Sequence, residues 1–227
     1  MEYPGKELEV FDQAKIFQKY IHLIIKKYLK DNILEVGAGI GSFTRSYFHN
    51  HKNIHLSDLD QNNCSILKEK FNDNDIKIDS KKISEINLNF NTIIYLNVLE
   101  HINEDKKEIE LALSRLNLGG HLIILTPAHQ NLYSKFDKAI GHLRRYDADF
   151  FNSNNHKNAK IKKLIYMDSL GYILYFFNKI FFKEEVYPSK IKIFVWDKIF
   201  TPITIIFDYI TRYKFGKNIL CIYEKVK

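Results

Sequence analysis

The stretch Ile33-Leu34-Glu35-Val36-Gly37-Ala38-Gly39-Ile40-Gly41-Ser42-Phe43 limits the folds open to this chain more than any other. The run Asn32 to Val36 is too short for a helix and fits a buried parallel strand. Glycines at alternating positions then let the backbone turn sharply and approach a ligand where a side chain would clash. The pattern predicts a first crossover helix over Ser42 to His49, whose free first amides face that ligand. A nucleotide-like cofactor at the first strand-to-helix turn of a doubly wound sheet is the working expectation.

The rest of the chain supports an alternating architecture. Leu8, Phe11, Phe17, Tyr20, Ile21, Ile24, Ile25 and Tyr28 recur at helical spacing and predict one amphipathic helix over residues 8–30. Strands are expected at Asn53 to Ser57, Ile76 to Asp79, Thr92 to Asn97 and His121 to Thr126, the last entered by a tight Leu118-Gly119-Gly120 turn. Helices are expected at Gln61 to Phe71, with Asp60 and Asn62 in its cap region, and at Asp105 to Leu116. Asp147 to Asn155 reads as a short helix, Lys160 to Met167 as a sixth strand and Asn218 to Lys225 as a seventh. The fold class is therefore α/β, a doubly wound and mostly parallel sheet of seven strands. Residues 1–227 read as one domain, with a core over 30–146 and a cover plus last strands over 147–227. Within that cover, residues 171–212 are aromatic and lysine-studded, two or three helices interrupted by Pro188 and Pro202.

Composition narrows the classes further. Cys64 and Cys221 form no CxxC pair, which argues against a disulfide framework or a zinc site. The histidines are dispersed without ligand spacing, so no metal is expected. No apolar run is long enough to span a membrane and no apolar leader follows Met1, giving a cytoplasmic expectation. The net charge of +7 sits in the last third, where residues 151–227 hold 14 Lys and Arg against 6 Asp and Glu. Such a surplus suits an anionic substrate, an anionic membrane surface or nucleic acid, and equally plain solubility. No known RNA module or catalytic tetrapeptide accompanies it.

Two cofactor classes use this loop geometry. A dinucleotide site asks for GxGxxG, whereas Ser42 occupies the third glycine's place here. Asp58 lies 21 positions after Gly37, at the end of the second strand, where a carboxylate takes a ribose diol in either class. LEVGAGIGSF, then Asp58-Leu59-Asp60, Asn97-Val98-Leu99-Glu100-His101-Ile102 and Leu118-Gly119-Gly120-His121-Leu122-Ile123-Ile124 together resemble class I S-adenosylmethionine-dependent methyltransferases, in order and spacing. The resemblance implies a Rossmann-like methyltransferase fold and S-adenosylmethionine as cofactor. It implies that Gly37, Ala38, Gly39 and Gly41 pack on the methionine and ribose portion, with Glu35 beneath the loop ordering its amides. Asp58 would take both ribose hydroxyls and Leu59 would pack on the adenine. Asp79 would accept from the adenine amino group, and Asn97 would lie under the methionine portion. Capping roles for Glu35 and Asp79 stay open.

Thr126 to Tyr146 follows the fifth strand, where open α/β sheets bind ligands. Its PAH, LY, D and GHxRRY elements resemble a methyltransferase branch found near glycan and polyprenyl-lipid assembly. His129 and His142 are candidate bases for an oxygen acceptor. Arg144 and Arg145 are candidates to hold an anionic group, with Tyr133 and Tyr146 lining the pocket. Equally open is a latch in which Asp137, Arg144 and Arg145 order the loop. Glu100-His101 reads as a structural pair. The implied activity is methyl transfer to a small-molecule, glycan or lipid-linked acceptor, preferably onto oxygen. An NAD-dependent oxidoreductase and a non-catalytic cofactor-binding subunit are the alternatives. Residues 171–210 read as an acceptor cover, as a surface helix on anionic lipid, or as a core layer or dimer contact; oligomeric state stays open.

Overall fold

A computed structural model describes residues 7–72, 76–154, 156–181 and 189–227. Seven strands form one sheet: β1 (Ile33–Val36), β2 (Ile54–Ser57), β3 (Ile76–Asp79), β4 (Phe90–Leu96), β5 (Leu116–Pro127), β6 (Ala159–Met167) and β7 (Asn218–Lys225). Their order is β3-β2-β1-β4-β5-β7-β6. β1 to β5 pair in parallel, while β7 runs antiparallel between β5 and β6. Strand order reverses between β1 and β4, which opens a crevice at their carboxyl ends.

Apolar alternation explains why both faces are covered. Leu34, Ile93, Tyr95, Leu122, Ile124, Ile219 and Cys221 point to one side, joined by Ile109, Ala112 and Leu113 of helix α4 (Asp105–Ser114). Ile33, Ile54, Leu56, Ile94, Ile123, Leu125, Leu220 and Ile222 point to the other. There they meet α2 (Lys15–Ile25) and α3 (Gln61–Lys70). Strands with apolar residues on both faces are the mark of a sheet buried between helical layers. Asp60 caps α3 by accepting from the Asn62 and Asn63 amides, as its sequence position implied.

Four local expectations change. The N-terminal helix is split into α1 (Glu7–Phe11) and α2, because Asp12 turns away to accept from Ser42 Oγ and Arg45. No α-helix forms over Ser42 to His49. Thr44–Ser46 and Phe48–Asn50 make 3-10 turns instead, tied down by Thr44 and Tyr47 hydroxyls that donate to buried Glu35. Leu118-Gly119-Gly120 belongs to β5 as a wide bulge: between the pairs Phe90–Leu116 and Thr92–His121, one residue of β4 faces four of β5. Pro202 begins a helix rather than interrupting one; Pro188 lies outside the described residues.

That last helix has its polarity reversed. After α5 (Lys135–Ala139), α6 (Ala148–Ser153) and α7 (Ser169–Phe181) come α8 (Lys190–Val195), a π turn at Trp196–Phe200 and α9 (Thr201–Ile210). The backbone stays right-handed helical through both junctions, so residues 190–210 form one rod. Proline lacks an N–H and crowds the carbonyl four residues back, which the π turn relieves. Facing inward are Ile193, Asp197, Thr201, Thr204 and Asp208, all buried. Asp197 accepts from the Ile16 and Phe17 amides and so caps α2 from across the fold. Asp208 accepts from Tyr20 Oη and from the Asp168 and Ser169 amides that open α7. Facing outward are Ile191, Phe194, Ile199, Ile203, Ile206 and Ile210, from 41 to 75% exposed. The reading of this segment as an ordinary apolar core layer is therefore overturned. Its anchor is polar and its free face is apolar.

Candidate active site

The glycine loop leaves β1 at the sheet's reversal point. Gly37, Gly39 and Gly41 all have φ between 55° and 75°, a region that L side chains seldom enter. A Cβ on Gly37 would lie 2.5 Å from Val98, and one on Gly41 only 2.3 Å from Phe71. Those two glycines serve packing. A Cβ on Gly39 would meet Leu8 of α1 at 3.5 Å, an ordinary van der Waals contact, so packing alone does not demand glycine there.

Asp58, just past β2, reaches the loop. Its Oδ2 accepts from the Gly39 amide at 2.8 Å, and its Oδ1 accepts from the Asp60 amide and Asn63 Nδ2. Oδ1 thereby uses both of its lone pairs, while Oδ2 keeps one to accept from a ligand hydroxyl. Leu59 beside it is 41% exposed, an apolar platform for an aromatic base. Ala38 is buried in the loop, and Asn97 is an exposed residue at the end of β4 with φ 54°. A left-handed glycine loop at the sheet's reversal point, a carboxylate with an acceptor position left and an exposed apolar platform fit an adenosine-type sulfonium cofactor.

Glu35 is engaged otherwise than the resemblance implies, and Asp79 has an ion-pair neighbour within the protein. Glu35 does not order the loop amides; it is fully enclosed and accepts from Thr44 Oγ1 at 2.7 Å and Tyr47 Oη at 2.6 Å. Burial, with the nearby Asp58 charge, pushes its carboxyl up to about 7 against those two hydrogen bonds. Asp79 places Oδ2 3.1 Å from Nε2 of buried His55. Burial depresses the His55 imidazole, while the Asp79 carboxylate opposes that shift.

On the acceptor side the charges turn inward. Arg145 is buried, with Nε 3.1 Å from Asp137 Oδ1 and a terminal nitrogen 2.9 Å from Oδ2. It also donates to the Ala128 carbonyl and lies over the Tyr175 ring. Arg144 pairs with Asp105 instead, at 2.5 Å. Tyr146 is core, its hydroxyl spent on Leu99 O and Asp105. Tyr133 donates to the His142 carbonyl at 2.6 Å. The anion-holding role expected of Arg145 and the pocket-lining role expected of Tyr146 are thereby corrected: both fix the loop from within. Asp137 is held well below the usual carboxylate range by His142, Arg145 and Ser134 in spite of burial.

The two candidate bases differ. His129 sits at φ 64°, its Nδ1 2.9 Å from Asp147 and its ring stacked on Tyr166. Its buried Nε2 has no hydrogen-bond partner among the described residues. His142 has Nδ1 2.7 Å from Asp137 and Nε2 3.6 Å from Glu100. Glu100 is fully buried, neither carboxylate oxygen has a hydrogen-bond partner among the described residues, and burial pushes it up to about 8. His101 joins this group, its ring 4.8 Å from that of His142. Burial lowers its imidazole to about 4. The separation of the histidines in sequence, which argued against a metal, is bridged because β4 and β5 are neighbours and their carboxyl-end turns meet.

Residues 34–122 match the family model described as methyltransferase domain. No curated protein sequence matches the chain. Among solved structures, an S-adenosylmethionine-dependent methyltransferase from Clostridium acetobutylicum ATCC 824 superposes with TM-score 0.62 at 16% identity, covering 98% of each chain. The N-methyltransferase NodS from Bradyrhizobium japonicum WM9, in complex with S-adenosylhomocysteine, gives 0.60 at 14%, covering 96% of this chain and 88% of that one. Magnesium protoporphyrin IX methyltransferase from Synechocystis PCC 6803, with bound S-adenosylhomocysteine, gives 0.57 at 12%, covering 96% and 84%. The structural likenesses bear on fold, while the domain match favours methyl transfer over oxidoreduction. Residues 34–122 match a methyltransferase domain, and over nearly its whole length the chain shares the fold of S-adenosylmethionine-dependent methyltransferases.

Proposed function

We propose that this enzyme methylates a hydroxyl of a lipid-linked acceptor, glycan or small molecule, while resting on an anionic membrane surface. The observation that carries this reading is the reversed rod 190–210. A polar stripe anchors it, and an apolar stripe of six large side chains faces outward. Lys190, Lys192, Lys198, Arg212 and Lys214 flank that stripe. Apolar side chains entering the lipid boundary with cations at headgroup level is the pattern of an interfacial helix. No helix among the described residues is long and apolar enough to cross a membrane. The rod packs on α1 and α2, and α1 leans on the glycine loop through Leu8. An acceptor drawn from the lipid plane would thus arrive beside the cofactor crevice.

In this assignment Asp58 holds the ribose diol, Leu59 the adenine, and Gly37 to Gly41 with Asn97 the methionine portion. The bound sulfonium supplies an electrophilic methyl carbon. A positioned acceptor oxygen bonds to that carbon as the carbon–sulfur bond breaks, sulfur keeps the electron pair, and the hydroxyl proton passes to a base. His129 suits the base: Nδ1 donates to Asp147, which leaves the Nε2 lone pair to receive the proton.

The test supplies methyl-labelled S-adenosylmethionine with anionic vesicles carrying cellular lipid extract. Label is expected in an O-methylated, lipid-extractable product, and Ile206→Glu should reduce both its yield and vesicle flotation. Label confined to water-soluble products, or an N-methyl product, overturns the acceptor assignment. His129→Gln should lower turnover and flatten its pH dependence; an unchanged profile removes the base.

A further inference from the structure

We propose that Glu100, His101 and His142 form a binding site for one divalent transition-metal ion at the acceptor mouth. One ligand atom from each residue lies within 4.8 Å of the others. Metal–ligand bonds of about 2.1 Å place neighbouring ligand atoms about 3.0–3.5 Å apart, so modest side-chain movement closes the set. Two imidazoles and a carboxylate form a three-ligand set that suits zinc, cobalt, nickel or iron(II) and leaves coordination positions open for an oxygen ligand.

Three features separate this cluster from an ordinary buried pair. The first is proton placement on the rings. His142 Nδ1 faces the Asp137 carboxylate at 2.7 Å, and His101 Nδ1 faces the Gly141 carbonyl at 3.2 Å. Both partners only accept, so each Nδ1 carries the hydrogen and each Nε2 presents a lone pair. A carboxylate or carbonyl fixing one ring nitrogen is the usual support for metal ligation through the other. The second is Glu100, a fully buried carboxylate without a hydrogen-bond partner among the described residues and 3.6 Å from His142 Nε2. A buried acid without a hydrogen bond is expensive; Arg145 acts on it only electrostatically, its own bonds going to Asp137, and a bound cation would supply the direct partner. The third is location. Glu100 and His101 lie in the turn after β4, three and four residues beyond Asn97, and His142 lies in the loop after β5. Both turns border the crevice that holds the proposed cofactor.

The site's existence does not depend on the reading of the acceptor; only its use does. An acceptor hydroxyl coordinated there would lose its proton more readily and be held in place for attack. In that role His142 is a ligand, which leaves His129 to receive the proton.

The decisive measurement is optical titration of chelator-treated, cofactor-free protein with cobalt(II). One equivalent is expected to bind, with d–d absorption whose intensity reports coordination number. Glu100→Gln and His101→Gln should each weaken binding at least tenfold, and Asp137→Asn should weaken it by about 10–100-fold by removing the carboxylate that fixes the His142 ring. His101 is only partly buried, so His101→Gln keeps the test interpretable if another variant misfolds. Cobalt bound equally well by the wild type and both ligand variants, or not bound at all, overturns the site. Calorimetric binding of S-adenosylhomocysteine by the same metal-free samples separates this outcome from failure of the methyltransferase reading.

Discussion

The two sides of the crevice are built on opposite principles. The side proposed to hold the cofactor is built mainly from backbone: alternating glycines, with a carboxylate reaching one loop amide and an exposed leucine beside it. The acceptor side is built from charged side chains, and the fold consumes most of them. Arg145 and Asp137 are buried against one another, and Tyr146 is inside the core. The difference teaches that a polar, motif-rich loop need not be a binding surface. Burying ionised groups is costly unless they are paired, so the pairing is what orders the loop. The residues left for chemistry are the ones whose polar atoms that network does not use.

If this contrast is right, the acceptor loop is the more fragile side. Asp137→Ala leaves the Arg145 guanidinium buried and unpaired, and should destabilise the fold by about 3–5 kcal/mol. Chemical denaturation measures this, and a loss below about 1 kcal/mol would break the comparison, since that is the scale of a solvated pair. Gly41→Ala comes next. It combines φ 75° with a Cβ 2.3 Å from the Phe71 ring, so strain and overpacking together should cost about 2–4 kcal/mol.

Glu35 gives a smaller effect that depends on pH. Its carboxyl titrates at about 7 in the fold against an ordinary value of 4.5. Between those values the folded state holds the proton and the unfolded state does not. This contribution to stability is therefore greatest below pH 4.5, declines as pH rises to 7, and is flat above. The linked change is at most about 3 kcal/mol. Glu35→Gln should remove that slope, which melting temperatures of both proteins from pH 5 to 8 would show. Parallel curves would mean that Thr44 and Tyr47 keep Glu35 ionised throughout.

Legibility in the sequence followed the same division. β3 and β7 appear at the residues expected, because apolar alternation and turn residues are local signals. The glycine loop and Asp58 were legible because their spacing is set by one strand–turn–strand unit. Glu100, His101 and His142 carry no local signal as a cluster, since the two histidines lie 41 positions apart in sequence and only sheet order joins them. A signal did exist in the reversed rod. Asp197, Thr201, Thr204 and Asp208 recur at helical spacing, and reading the polar stripe as the buried one would have found the rod's orientation. Habit assigns the buried face to the apolar stripe. Here two aspartates with backbone amides to cap outweigh it.

Asp58→Asn is the substitution with the least effect on folding and the sharpest test of the contrast. One carboxamide oxygen still accepts from a backbone amide, so the loop should retain its shape within about 1 kcal/mol. What is lost is the second acceptor and the negative charge, both of which a ribose diol uses. Hydrogen bonds to a charged group contribute about 1.5–3 kcal/mol, so S-adenosylhomocysteine affinity should fall by about 10–150-fold in calorimetric titration. A cofactor-side residue would then affect cofactor binding and spare stability, whereas Asp137 should spare cofactor binding and cost stability. Should Asp58→Asn unfold the protein instead, its bond to Gly39 is structural and the two sides of the crevice are alike.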